Sequence, residues 1–276
     1  MVSAVTSASV TEPRVDFLSL LRLDGQGFVV LGAGQGIGVQ VCLALSQAGA
    51  RVLCVDRDKA LAAAIAAEVG GVACVAEVTS RADMVRVFST ARERFNRVHG
   101  VVDIVGISTI GLMKDLDDAA WAHQFDVVLR HAFLALQIGG PLIAEGGGGT
   151  LTFVGSMAGD RAVKNQLVYS VAKAALHHLV RSAALELGPS GVRVNAVAPG
   201  FIRTPRLNAR LDEEQWAAIG RSVPLGRAAT PAEIAAPLLF LSSGLSSHVT
   251  GQVLAVDGGT GVVGALPDLK FGPPSP

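Results

Sequence analysis

The stretch GFVVLGAGQGIG, residues 27–38, decides the fold. Its opening residues form an unbroken apolar run bounded by glycine, which reads as a strand buried on both faces. Gly32, Gly34, Gly36 and Gly38 follow at once, and GIGVQVCLALSQAG continues from Gly36 with helical spacing. In a strand, glycine-rich turn and helix, the backbone can approach a pyrophosphate closely. The first N–H groups and the positive dipole end of the helix then point at it.

Working outward, the same kind of run recurs as ARVLCVD from Ala50, GVACVAEV from Gly71, GVVDIVG from Gly100, GTLTFVG from Gly149, GVRVNAVAP from Gly191 and GQVLAVDGG from Gly251. Helical patterns lie between them: DKALAAAIAAEVG, RADMVRVFSTARERF, Asp118 to Ala144, Val168 to Leu187 and Pro231 to Leu241. Strands alternating with helices, joined right-handedly, predict an α/β fold: a single-domain, doubly wound parallel sheet of Rossmann type, with about seven strands and helices on both faces. The GGGG at 146–149 precedes a strand rather than a helix, so it is a turn and not a phosphate loop. The expected organisation is a loosely ordered tail over 1–22, one nucleotide-binding domain over 23–260 and a Pro/Gly-rich extension over 261–276.

Composition narrows the partners. Of 276 residues half are hydrophobic, and 23 basic side chains balance 23 acidic ones. Without a basic stripe there is nothing to exchange for the counterions of a nucleic acid or an anionic membrane. A mean hydropathy of +0.46 raises the question of a membrane span. The longest uncharged stretch, Ile234 to Val256, is interrupted by Pro237, Gly244 and four serines and reads as helix, loop and strand. The opening MVSAVTSASVTEPR lacks the pattern of a secretory signal, so the expected compartment is the cytoplasm. Cys42, Cys54 and Cys74 sit in apolar runs without CxxC spacing, and the histidines show no ligand spacing; neither disulfide nor metal is expected.

Asp56 closes the second strand about 20 residues past the glycine turn, where a carboxylate accepts hydrogen bonds from a ribose diol and repels a 2′-phosphate. Gln35 adds no charge, so NAD is expected over NADP. Arg57 is either a solvated surface residue or a guanidinium able to swing toward a phosphate. The only tyrosine, Tyr169, is followed on one helix face by Lys173. An ammonium and the positive nicotinamide of an oxidised cofactor both favour the phenolate, making a general base. Ser156 ends the fifth strand at the ligand-binding edge and can donate to a carbonyl or alkoxide oxygen.

Together GAGQGIG, GSMAG, YSVAK, NAVAPG with FIRT, and VTGQVLAVDGG resemble the short-chain dehydrogenase/reductase family over about residues 23–260. The resemblance implies that Tyr169 is the acid/base, that Ser156 positions the substrate oxygen, and that Lys173 tunes Tyr169 and holds the nicotinamide ribose. It places Gly32, Gln35, Gly36, Ile37, Gly38, Asp56 and Arg57 on the cofactor. It adds Glu77 and Val78 at the adenine, Val105 and Gly106 after the fourth strand, and Pro199, Gly200, Ile202 and Thr204 along the nicotinamide. Homotetramers are the family's usual state.

Three positions depart from the family pattern. NNAG becomes Asp103-Ile104-Val105-Gly106, Leu31 replaces the threonine before the turn, and the W-x6-N spacing puts Val128 where the catalytic asparagine belongs. The expected relay water keeps the main-chain carbonyl at Val128, with Ser108 or Asp103 in reach. His177 and His178 read as packing or interface residues. Ser108, Met157 and Leu207 are the expected pocket walls, and their mix favours a largely apolar alcohol or ketone. The resulting expectation is an NAD-dependent enzyme interconverting secondary alcohols and ketones. Its rivals are a cofactor-binding protein with little turnover, and a lyase, epimerase or dehydratase with no net redox.

Overall fold

The computed structural model describes residues 14–263. Seven strands form one sheet: β1 (Gly27–Leu31), β2 (Arg51–Asp56), β3 (Val72–Val75), β4 (Val98–Asp103), β5 (Gly149–Val154), β6 (Val192–Pro199) and β7 (Val253–Val256). Their order is β3-β2-β1-β4-β5-β6-β7 and every pairing is parallel. The chain starts in the middle, winds out to β3, returns past β1 to β4 and winds out the other way to β7. Neighbouring strands on either side of the β1/β4 boundary therefore carry their crossovers in opposite directions, which opens a crevice beyond their carboxyl ends. Register brings those ends level, with Leu31 opposite both Val55 and Asp103.

The continuous hydrophobic runs are explained by burial on both faces. Along β1, Val29 and Leu31 enter one core with α3 (Arg81–Phe95) and the Asp118–Glu145 and Leu167–Leu187 helices. Phe28 and Val30 enter the other with α1 (Ile37–Gln47), α2 (Lys59–Glu68) and the Pro231–Ser242 helix. The two-sided burial expected of every strand fails at the margins. β3 and β7 are the edge strands, and Ala73, Val75, Leu254 and Ala255 are exposed. Helix starts follow side-chain capping: Asp58, Ser80 and Asp117 accept backbone N–H groups, and Thr230–Glu233 forms a capping box.

The Asp118–Glu145 helix is long and apolar enough to cross a membrane by length and composition alone. Here it is a core helix, burying Ala132, Leu134, Ala135 and Ile143 against the sheet. Within the segment expected as a tail, Ser19–Leu21 makes one helical turn, and the Leu20 carbonyl lies beside Gly244. Residues 1–13 lie outside the described residues. So does nearly all of the 261–276 extension, of which only residues 261–263 are described, closing the Thr260–Val262 turn. Cys42, Cys54 and Cys74 are buried free thiols.

Phe28 is fully buried at the centre of the sheet. Phe28→Ala should cost about 3–5 kcal/mol of stability. Urea unfolding should show this as a lower midpoint at unchanged slope.

Candidate active site

The glycine turn has the geometry that an anion needs. Gly36 caps α1 with φ +59 and no side-chain cap, which leaves the first helical N–H groups without a side-chain acceptor. Gly38 lies against the turn itself: a Cβ there would stand 2.1 Å from the Gly32 carbonyl oxygen. Asp56 faces the turn across the crevice, one carboxylate oxygen accepting the Gly34 N–H at 2.9 Å and the other the Asp58 N–H at 3.0 Å. These bonds fix the carboxylate while leaving lone pairs for a diol.

A cavity of about 410 Å³ runs along this edge. Of the expected cofactor residues, Gly32, Gln35, Gly36, Ile37, Asp56, Arg57, Glu77, Val78, Val105, Gly106 and Thr204 line it. The lining does not include Gly38, which lies behind the turn, Pro199, which ends β6, or Gly200 and Ile202, which follow it. Ile202 is buried. Thr204 accepts the Leu207 N–H at 3.3 Å and starts the short Pro205–Asn208 helix, which brings Pro205 and Arg206 to the rim. The bare helix terminus, the fixed carboxylate and a cavity of ligand size lined from the glycine turn to Gly106 fit a dinucleotide. His123, Asp126 and Val127 also line this cavity and were not expected there. They come from a helix whose approach to the sheet edge leaves no local sequence signal.

The second half of the site abuts the first. Lys173 is 2% exposed and donates to the Val154 carbonyl at 2.7 Å, and a Cβ on cavity-lining Gly106 would stand 3.1 Å from its Nζ. Burial pulls the ammonium down to about 8, opposed by the negative charge of Asp103. Its Nζ lies 5.8 Å from the centroid of the Tyr169 ring. Burial pushes the Tyr169 phenol up, with the Ser156 hydroxyl pulling the other way. The downward shift expected at Tyr169 is thus not produced by the protein's own groups, because desolvation dominates there.

Ser156 is held by His177, for which the sequence suggested only packing or an interface. Its backbone N–H donates to Nε2 of His177 at 3.4 Å, and Nδ1 of His177 donates to Asp160 at 3.1 Å. The imidazole fills the space beside Gly155 and Gly159, where a Cβ would stand 2.4 and 2.6 Å from ring atoms. His177 therefore braces the serine loop from within, as the expected packing residue with an added orienting bond. Gln124 is likewise fully buried and bridges the loop after β4, donating to the Ile107 carbonyl and accepting the Thr109 N–H. Ser108 sits in that loop, Met157 beside Ser156, and Leu207 in the Pro205–Asn208 helix; all three are partly buried, and none lines the cavity at the glycine turn.

Val128 is fully buried at the middle of a π-helical segment, Asp126–Arg130, inside the long helix. The helix distortion is present without an asparagine amide. Asp103 does not reach toward a relay: one carboxylate oxygen accepts the Val105 N–H at 3.0 Å and the other the Nδ1 proton of His131 at 2.6 Å.

Comparison with known proteins agrees with this geometry. The family described as enoyl-(acyl carrier protein) reductase matches residues 32–261. Galactitol 2-dehydrogenase (L-tagatose-forming) of Cereibacter sphaeroides is 37% identical over 251 residues, 89% of this chain and 98% of that one. The 7α-hydroxysteroid dehydrogenase of Escherichia coli is 32% identical over 246 residues, 87% and 95% of the two chains. A solved structure of 7α-hydroxysteroid dehydrogenase complexed with NADH and 7-oxo glycochenodeoxycholic acid superposes with a TM-score of 0.85 at 31% identity, covering 89% of this chain and 98% of that one.

Val128→Asn would bury an amide among partners arranged for an apolar side chain. It should cost roughly 1–3 kcal/mol in urea unfolding. A variant as stable as the parent would show that the amide's partners survive.

Proposed function

The chain belongs to the short-chain dehydrogenase/reductase family and is an oxidoreductase acting on CH–OH groups; from that premise we propose an NAD-dependent enzyme that interconverts a secondary alcohol and a ketone on a largely apolar small molecule. The observation that carries the reading is the junction of two half-sites: Ser156, Tyr169 and Lys173 gather where Gly106 closes the nucleotide cavity.

A bound nicotinamide supplies the hydride acceptor or donor. The protein's part is proton transfer and positioning. In alcohol oxidation Tyr169 takes the hydroxyl proton, and in ketone reduction it returns one to the developing alkoxide. Ser156 donates to the substrate oxygen from a loop held by His177. Lys173 places a positive charge below Tyr169 that favours the phenolate, with its remaining N–H groups available to a ribose. Because burial holds the phenol up, the oxidation rate should climb with pH as Tyr169 deprotonates, while reduction, which uses the phenol, should fall.

Asp56 supports NAD, since its fixed carboxylate accepts from a ribose diol and repels a 2′-phosphate. The apolar character of the substrate is supported by Ile110, Leu112 and Met113, exposed on the loop after β4. That loop is tied to the segment before Tyr169 by the Gly111 N–H to Asn165 carbonyl bond. A homotetramer is supported by exposed Trp121, Phe133, Leu167 and Val171 on two helices, and a reducing cytoplasmic setting by the free thiols. We take residues 23–260 as the single catalytic domain.

The deciding experiment follows absorbance of the reduced nicotinamide with NAD and NADP in parallel, over apolar cyclic and aliphatic alcohols, a 7α-hydroxysteroid and galactitol. Oxidation of apolar alcohols with NAD is the expected result. Slow turnover throughout would favour the cofactor-binding reading, and conversion without net redox the lyase or epimerase. On a verified substrate Tyr169→Phe should lower turnover by about 10²–10⁴ and leave NAD affinity within a few fold. A variant keeping over half the rate removes Tyr169 from the acid/base role. Asp56→Ala should weaken NAD and relax discrimination against NADP in fluorescence titrations. Tight NADP binding by the unaltered protein would overturn that assignment.

A further inference from the structure

The buried pair Asp103–His131 has no place in the family pattern, which has asparagine where Asp103 stands. Both side chains are inaccessible, at 0% and 1% exposure. Asp103 ends β4 and His131 directly follows the π-helical segment that carries Val128, so their 2.6 Å bond ties the distorted helix to the sheet edge. Nε2 of His131 is buried with no partner among the described residues. A ring with its single proton on Nδ1 leaves Nε2 a bare acceptor. A second proton would create a buried donor with no acceptor among the described residues, which disfavours it. With Asp103 accepting both the His131 and the Val105 N–H bonds, the arrangement suits a carboxylate beside a neutral imidazole: one net negative charge inside the sheet edge.

Lys173 is the cation that this charge acts on. It too is buried, and its one hydrogen bond among the described residues is to the Val154 carbonyl; Asp103 lies opposite Phe153 in the β4–β5 register, one residue from that carbonyl, and its charge favours the ammonium. The other titratable groups around it cannot supply a counter-charge. Tyr169, on its own helix, is a phenol held up by burial, and His177 is either neutral or positive. Asp160 is half exposed and is spent on His177.

We propose that Asp103, oriented by His131, is the counter-charge that keeps Lys173 an ammonium, and that the two act as a positioning pair. A buried ammonium without a partner gives up its proton readily. Lys173 could then no longer favour the Tyr169 phenolate. The pair also ties the helix to the sheet edge three residues past Val128, directly after the π-helical segment. This rests on Lys173 belonging to the catalytic set, but its test does not depend on turnover.

The full-length protein without added nucleotide is labelled with ¹³Cε-lysine, and the Lys173 resonance, assigned by its absence in Lys173→Ala, is followed by NMR from about pH 5 to pH 11. In folded Asp103→Asn its midpoint should fall by about one to three units, the usual effect of an adjacent opposite charge. The climb of alcohol oxidation with pH should move to higher pH on any substrate the screen identifies, because a neutral Lys173 no longer favours the Tyr169 phenolate. An unmoved midpoint in the folded variant overturns the proposal. Should that variant not fold, Asp103→Leu/His131→Leu removes charge and partner together, a change that buried pairs commonly tolerate, and the same downward shift is expected. In the unaltered protein, a midpoint near 5–6, as burial alone can produce, overturns the proposal whatever the variants do. If no alcohol is oxidised, the functional reading fails while the titration still decides the role of Asp103.

Discussion

Because all seven strands run parallel, their carboxyl ends share one edge, and every group the site uses hangs from it. The glycine turn leaves β1, Asp56 ends β2, Asp103 ends β4, Ser156 follows β5, and Gly200 follows β6. None of these residues is near the others in sequence. They meet because parallel pairing returns each strand to the same starting line, and because the winding reverses between β1 and β4 to leave a crevice there. The helices matter to the chemistry mainly as the return paths that make this possible, but Tyr169, Lys173 and His131 reach the edge from helices.

That edge is also where apolar burial meets charge. Lys173, Asp103 and His131 lie within elements whose other faces are closely packed with Val101, Val102, Leu176 and Ala132. Burial costs each charge its hydration, and the compensations are specific. Lys173 donates to a strand carbonyl and feels Asp103, and Asp103 accepts from the backbone and from His131. Tyr169 stands at the same boundary, with burial favouring its neutral form and Lys173 favouring the charged one. Desolvation and counter-charge are thus set against each other at adjacent residues: burial brings the Lys173 ammonium toward working pH and moves the Tyr169 phenol away from it.

Much of this was legible in the sequence. The seven β-branched runs became seven strands because only two-sided burial tolerates continuous hydrophobicity, and the glycine turn was readable because strand and helix flank it. Edge exposure of β3 and β7 was not legible, since position within a sheet is a property of winding order rather than of a strand's own residues. Tyr169, Lys173 and Ser156 could be singled out by spacing and by their place at strand or helix ends. His177 as a brace could not, because Gly155 and Gly159 read locally as loop glycines until the imidazole is seen between them.

The π-helical segment around Val128 marks where local reading runs out. Nothing in DVVLR distinguishes a π-helical turn from an α-helical one, and a lost asparagine reads on its own as a damaged site. The tertiary structure changes that reading, because the departure at Asp103 and the histidine three residues past Val128 prove to be one hydrogen-bonded unit. An isolated carboxylate at the buried end of β4 would cost several kcal/mol. It is tolerable only with His131 and the Val105 N–H as partners and a cation close by, and each of these is supplied from a different part of the chain. Substitutions that look like independent losses along the sequence are therefore coupled through the sheet edge, where a buried charge cannot exist singly.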